Sequence, residues 1–189
     1  MQPGRRGASN SVRMKTNTEA TAYHEAGHAL ADFRLGFKIK QVSVISDGTC
    51  AGFVSRRLGL KLSPLEFGCT TSKTVARWHD HILTLLAGEE AQRRFSAKSV
   101  RSHHAAQDRS VVVDVLMRLH SDQDELRAVY RYLQIRARNL VCHPVNWQMI
   151  ECLAKLLLEK KTLTGQETAA AFRASLRNQM EADRQSRAA

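Results

Sequence analysis

No stretch of this sequence approaches the roughly 20 consecutive apolar residues that span a bilayer, and its N-terminus has no apolar run of signal-peptide length. Both absences point to a soluble protein of the cytoplasm. Cysteine is sparse as well. Cys50, Cys69, Cys142 and Cys152 lie far apart, with no C-x-x-C pair and none of the dense framework that small secreted domains need, so reduced thiols are expected. Acidic residues are outnumbered 18 to 29 by Lys and Arg, and the resulting charge of +11 favours polyanions or acidic substrates. Yet there is no basic arm and no aromatic-interleaved RNA signature. The arginines spread along helical segments, as Arg127, Arg131 and Arg138 do, where a solvated face accounts for them. Nucleic-acid binding is therefore an alternative and not the first expectation. Internal repeats are absent too, and 189 residues with 43% hydrophobic content suit one sizeable core better than two small ones.

What is present reads as a mainly α chain with one small β element. Residues 1 to 16 are rich in Gly, Arg, Ser and Asn without periodicity, which suits a flexible tail. Thr16-Asn17-Thr18-Glu19 has capping-box spacing and Gly36 supplies a left-handed stop, so a helix is expected near 18 to 35. Gln41 to Ile45 alternates in β-branched residues, Asp47-Gly48 is a turn signal, and Cys50 to Val54 can return as a partner strand. From Ser55 to Cys69 the period is lost, as in a surface loop. Helices are then expected near 71 to 95, 105 to 120, 122 to 140, 144 to 160 and 166 to 183. Thr164-Gly165-Gln166-Glu167 repeats the capping-box spacing, and a polar tail from 178 to 189 is expected to fray.

The chemistry-bearing motif is His24-Glu25-Ala26-Gly27-His28, placed mid-helix. Residues four apart share a helix face, so His24 and His28 can aim their imidazoles at one ion. Glu25 follows the first of them, where its carboxylate can reach a water without ligating the metal, the geometry of a general base. The bland alternative is an amphipathic helix whose histidines happen to lie four apart. Against it, Ala22, Ala26, Gly27, Ala29 and Ala31 keep the helix thin, as close approach of another backbone or a buried ion requires.

A catalytic zinc commonly has three protein ligands, and Asp108 is the first choice for the third. It falls in register with Val112, Val115 and Leu119 on the inward stripe of its helix, where an unpaired carboxylate is costly. An aspartate complementing the helix dipole, or pairing with Arg109, fits the same position. Glu89 and Glu90 are second choices, and His103 and His104 directly precede the Asp108 helix. His79, His81, His120 and His143 have no comparable spacing and receive no role. Two imidazoles and one carboxylate also suit iron(II).

The segment Ala22-Tyr23-His24-Glu25-Ala26-Gly27-His28-Ala29-Leu30 resembles the zinc-binding helix of the FtsH-type peptidases. Val42-Ser43-Val44-Ile45 and Gly52-Phe53 are similar to the strands after it. Leu86-Ala87-Gly88-Glu89-Glu90-Ala91 is similar to that family's Gly-x-x-Ala-Glu helix, and Ala105-Ala106-Gln107-Asp108 to the segment bearing its third ligand. Leu153 to Glu159 and Thr162 to Gly165 resemble its closing helices, so the likeness covers roughly 17 to 175. It implies a helical bundle with a small β element, a peptidase domain at 17 to 177, zinc held by His24, His28 and Asp108, and Glu25 as base.

Three departures stand out: His104 where the family has glycine, Arg109 where it has an aliphatic residue, and Glu90-Ala91-Gln92 in place of its Ala-Glu order. There is also no G-x-x-x-x-G-K-S/T phosphate loop, and the length leaves no room for the family's ATPase module. The expected substrates are flexible peptides, or unfolded proteins fed by a separate ATPase partner. An extended substrate would add to an edge strand within 50 to 55. A binding or regulatory module of peptidase ancestry is the competing expectation.

Overall fold

The computed structural model describes residues 7–45, 52–57, 71–100 and 106–188. The expected turn at Asp47-Gly48, the greater part of the expected loop (58–69), Cys50, Cys69, His103 and His104 lie outside them. Among the described residues there are six α-helices and one three-stranded antiparallel sheet, the mainly α architecture expected. In chain order they are α1 (Gly7–Arg34), β1 (Lys38–Ser43), β2 (Phe53–Arg57), α2 (Ser72–Phe95), a 3-10 turn (Ala97–Ser99), α3 (Ala106–Leu119), α4 (Gln123–Cys142), α5 (Pro144–Lys160), β3 (Thr162–Thr164) and α6 (Gly165–Ala188). No helix among these residues is long and apolar enough to cross a membrane.

The centre of the molecule is α1. Every residue from His24 to Asp32 is buried, a pattern that requires neighbours on all sides of a helix. Those neighbours are α2 and α5, with β1 and α6 completing the enclosure. Small residues make it possible. Ala22, Ala26, Ala29 and Ala31 are fully buried, and a Cβ added at Gly27 would stand 2.6 Å from both the Ala87 carbonyl oxygen and Ala91 Cβ on α2. The two backbones therefore approach at a distance only glycine permits. Tyr23 fixes the rotation of α1, its ring stacked 4.0 Å from Phe95 and 5.5 Å from Trp147.

The start of α1 differs from expectation. It begins at Gly7, so residues 7–16 continue the helix and the capping-box sequence at Thr16 lies inside it. Ser, Thr and Asn are only mildly unfavourable in a helix interior, and adding a turn to an existing helix costs far less than starting one. The C-terminus is as expected. Gly36 has φ 72° and the Phe37 amide donates to the Asp32 carbonyl at 2.9 Å, which closes a Schellman motif.

The hairpin also slides. Its strands occupy 38–43 and 53–57 among the described residues, where 41–45 and 50–54 were expected, with Val42 opposite Val54 and an irregularity between Ile39 and Gln41; residues 50 and 51 lie outside the described residues. Period-two alternation tolerates such shifts, and burial decides among them. Here β3 decides: Leu163 lies opposite Val42, and both are buried. That third strand was not expected, since three residues are too few to show an alternation. It gives the order β2-β1-β3, with β2 at an edge among the described residues. At the far end α6 runs on to Ala188, past residue 178 where the polar composition suggested fraying. Gln, Met, Glu, Ala and Arg in that stretch are good helix formers, so propensity extends a helix already anchored by buried Phe172.

Candidate metal centre

Three side chains from two helices meet beside α2. His24 and His28 stand one turn apart on α1, and Asp108 comes from the first turn of α3. The two Nε2 atoms are 3.0 Å apart, and each lies 3.2 Å from Asp108 Oδ2. Ligands held ~2.0–2.1 Å from a tetrahedral zinc stand roughly 3.3 Å from one another, so the triangle matches the face of such a site. The imidazoles are almost enclosed, with 9% and 7% of each side chain exposed, while Asp108 keeps 24%. One side of the cluster is thus nearer solvent than the other.

Their hydrogen bonds determine which atoms point inward. His28 Nδ1 lies 2.8 Å from the Thr84 carbonyl oxygen, which can only accept, so Nδ1 carries the proton and Nε2 presents a lone pair. Gly88 leaves the room for this ring: a Cβ there would stand 2.4 Å from His28 Nε2. Gln92 does the same service for His24. Its Nε2 donates to the Ser99 carbonyl at 3.0 Å, which turns its Oε1 toward His24 Nδ1 at 3.1 Å. His24 Nδ1 therefore donates, and its Nε2 is also a bare acceptor.

Two lone pairs and a carboxylate oxygen accordingly converge. A cation suits such a set, either a metal ion or an added proton on an imidazole. Burial works against the Asp108 charge, but when a proton occupies the cluster in place of a metal, the charge on His28 and the hydrogen bonds that protonated His28 and His24 Nε2 donate outweigh it and hold the carboxyl well below the usual carboxylate range.

Glu25 is buried at the same turn of α1. A Cβ on Gly52 would stand 2.9 Å from Glu25 Oε1 and 2.8 Å from the Ser43 carbonyl oxygen, so the chain entering β2 passes directly against this carboxylate. Glu89 and Glu90, the second choices for a third ligand, do not join the cluster. Their carboxylates turn to arginines: Glu89 to Arg93 and to Arg109 at 3.5 Å, Glu90 to Arg93 at 4.0 Å. Burial pushes the Glu90 carboxyl up, against the pull of Arg93. Gln92, Thr84 and Gly88 received no ligand-orienting role from the sequence, because that role lies in contacts with residues 56 to 68 positions away.

No protein-family model matches the chain, and no curated protein matches it.

Proposed function

We propose that this protein is a zinc-dependent endopeptidase whose site is similar to that of the FtsH-type proteases. The observation that carries it is the convergence of His24 Nε2, His28 Nε2 and Asp108 Oδ2 within 3.0–3.2 Å, with a buried glutamate next in sequence to the first histidine. His24, His28 and Asp108 would hold the zinc, with Gln92 and Thr84 orienting the imidazoles through their Nδ1 hydrogens. Bound zinc supplies Lewis acidity that activates water and polarises a scissile carbonyl. Glu25 takes the proton of the attacking water and returns it to the leaving amine. Because β2 is an edge strand and Gly52 at its entrance abuts Glu25, an extended peptide pairing along β2 would pass beside the base. Backbone pairing of that kind binds flexible peptides with little sequence selectivity.

The test is elemental analysis joined to one substitution. The purified chain is expected to hold stoichiometric zinc, and Glu25→Gln to retain it while cleavage of a casein-like substrate falls ~10²–10⁴-fold. Undiminished cleavage by Glu25→Gln, or iron in place of zinc, would reject the proposal.

A further inference from the structure

The turn of α2 that seats His28 also bears Glu89, a residue only 7% exposed although it is charged. Its carboxylate faces two arginines with different consequences. Arg93 is four residues on along the same helix, so that pair fixes nothing beyond α2. Arg109 belongs to α3, and its Nε lies 3.5 Å from Glu89 Oε2 across the helix–helix boundary. Arg109 is also the residue immediately after Asp108. The buried apolar contacts of α3, Val112, Val115 and Leu116, all lie at least a turn further along, so they leave the approach of its first turn to polar contacts.

We propose that Glu89 is a positioning residue: through Arg109 it holds the first turn of α3 against α2 and so keeps the Asp108 carboxylate at the two imidazoles. The inference rests on the metal-centre assignment made above. It follows from rigid geometry. Gly88 receives the His28 ring and Glu89, one residue later, receives Arg109, so a single turn of α2 sets the position of two ligands relative to each other. An arginine after the aspartate then has a use that an aliphatic residue there would not serve.

Zinc affinity, measured by competition with a chromophoric chelator, provides the test. Glu89→Gln and Arg109→Gln are each expected to weaken zinc ~10-fold or more, the range of outer-shell partners, and the double variant no further than the worse single one. Arg93→Gln leaves the cross-helix pair intact and should stay within about 2-fold. Cobalt(II) absorption separates positioning from general loosening: the Glu89→Gln spectrum should move toward that of Asp108→Asn, while circular dichroism of the metal-free chains stays unchanged. Affinities of both single variants within about 2-fold of the unmodified chain, or additive losses in the double variant, would overturn the inference alone. An unmodified chain that binds neither zinc nor cobalt would overturn the metal centre and this inference with it.

Discussion

The capping box that opens α6 and the histidine pair of α1 are both polar motifs confined to a single helical turn, yet the chain completes one and not the other. At α6, the Thr164 hydroxyl accepts from the Glu167 amide at 3.2 Å and donates to Glu167 Oε2 at 2.9 Å, which also accepts the Thr164 amide at 2.9 Å. Lys160 Nζ donates to the other carboxylate oxygen at 3.0 Å. Each of these four hydrogen bonds joins a donor to an acceptor within the motif or beside it. At α1, with each Nδ1 donating outward, the inward atoms are acceptors brought to 3.0–3.2 Å in a largely enclosed site where their mutual repulsion is weakly screened. Polar groups that satisfy one another stabilise a helix end. Polar groups whose lone pairs converge could instead hold a cation, and the outer contacts from Thr84 and Gln92 keep these converging.

The contrast is broken most severely at Gly88. An alanine Cβ would stand 2.4 Å from His28 Nε2 and 2.5 Å from its Cε1, so the ring must leave the Thr84 carbonyl or the helices must separate. Gly88→Ala is expected to lower zinc affinity by ~100-fold or more and to cost about 1–3 kcal/mol of stability, the usual range for overpacking. Calorimetric zinc titration together with urea unfolding of the metal-free chain checks both; unaltered affinity would mean that the ring is not held where the lone-pair argument needs it. A milder break comes at Gln92. Gln92→Ala frees His24 to rotate or to change tautomer, and zinc should weaken ~10–100-fold with little change in stability. If affinity holds, then the acceptor on Nδ1 is not what directs His24 inward.

Legibility in the sequence followed the same division. The helix starts near 71 and 122 were readable from apolar periodicity and the stop at Gly36 from its glycine, and each end is closed by a contact within five residues of the chain. The histidine pair was readable for that reason too, whereas the register of α3, with Val112 and Val115 buried, suited a dipole-facing aspartate at 108 equally well, and the resemblance singled Asp108 out. Beyond that range the signal fades. Nothing local to Gln92 announces that it reaches His24, 68 residues away, and nothing in Arg109 announces Glu89. The strand β3 escaped because it has three residues, and the hairpin register was settled by Leu163 lying opposite Val42, a pairing no short-range rule contains.

The smallest effect belongs to the self-sufficient motif, and it has a definite sign. Hydrogen bonding by the Thr164 backbone amide, followed by Lys160 and the Thr164 hydroxyl, depresses the Glu167 carboxyl from 4.5 to about 2. A depressed carboxylate stabilises the fold fully above its unfolded value and loses that contribution as pH falls toward its folded one. The window for Glu167 is therefore 4.5 down to about 2. The group is fully exposed, so solvent screens it and the effect on Tm should be no more than about 2 °C. Glu167→Gln keeps one carbonyl acceptor for Thr164 and removes the charge together with the second oxygen that accepts from Lys160. Thermal unfolding of both metal-free chains should show the variant slightly less stable at neutral pH, with the gap closing below pH 4.5 and gone near pH 2. A gap that persists unchanged at acid pH would show that the charge contributes nothing, and that the cap works through its neutral hydrogen bonds alone.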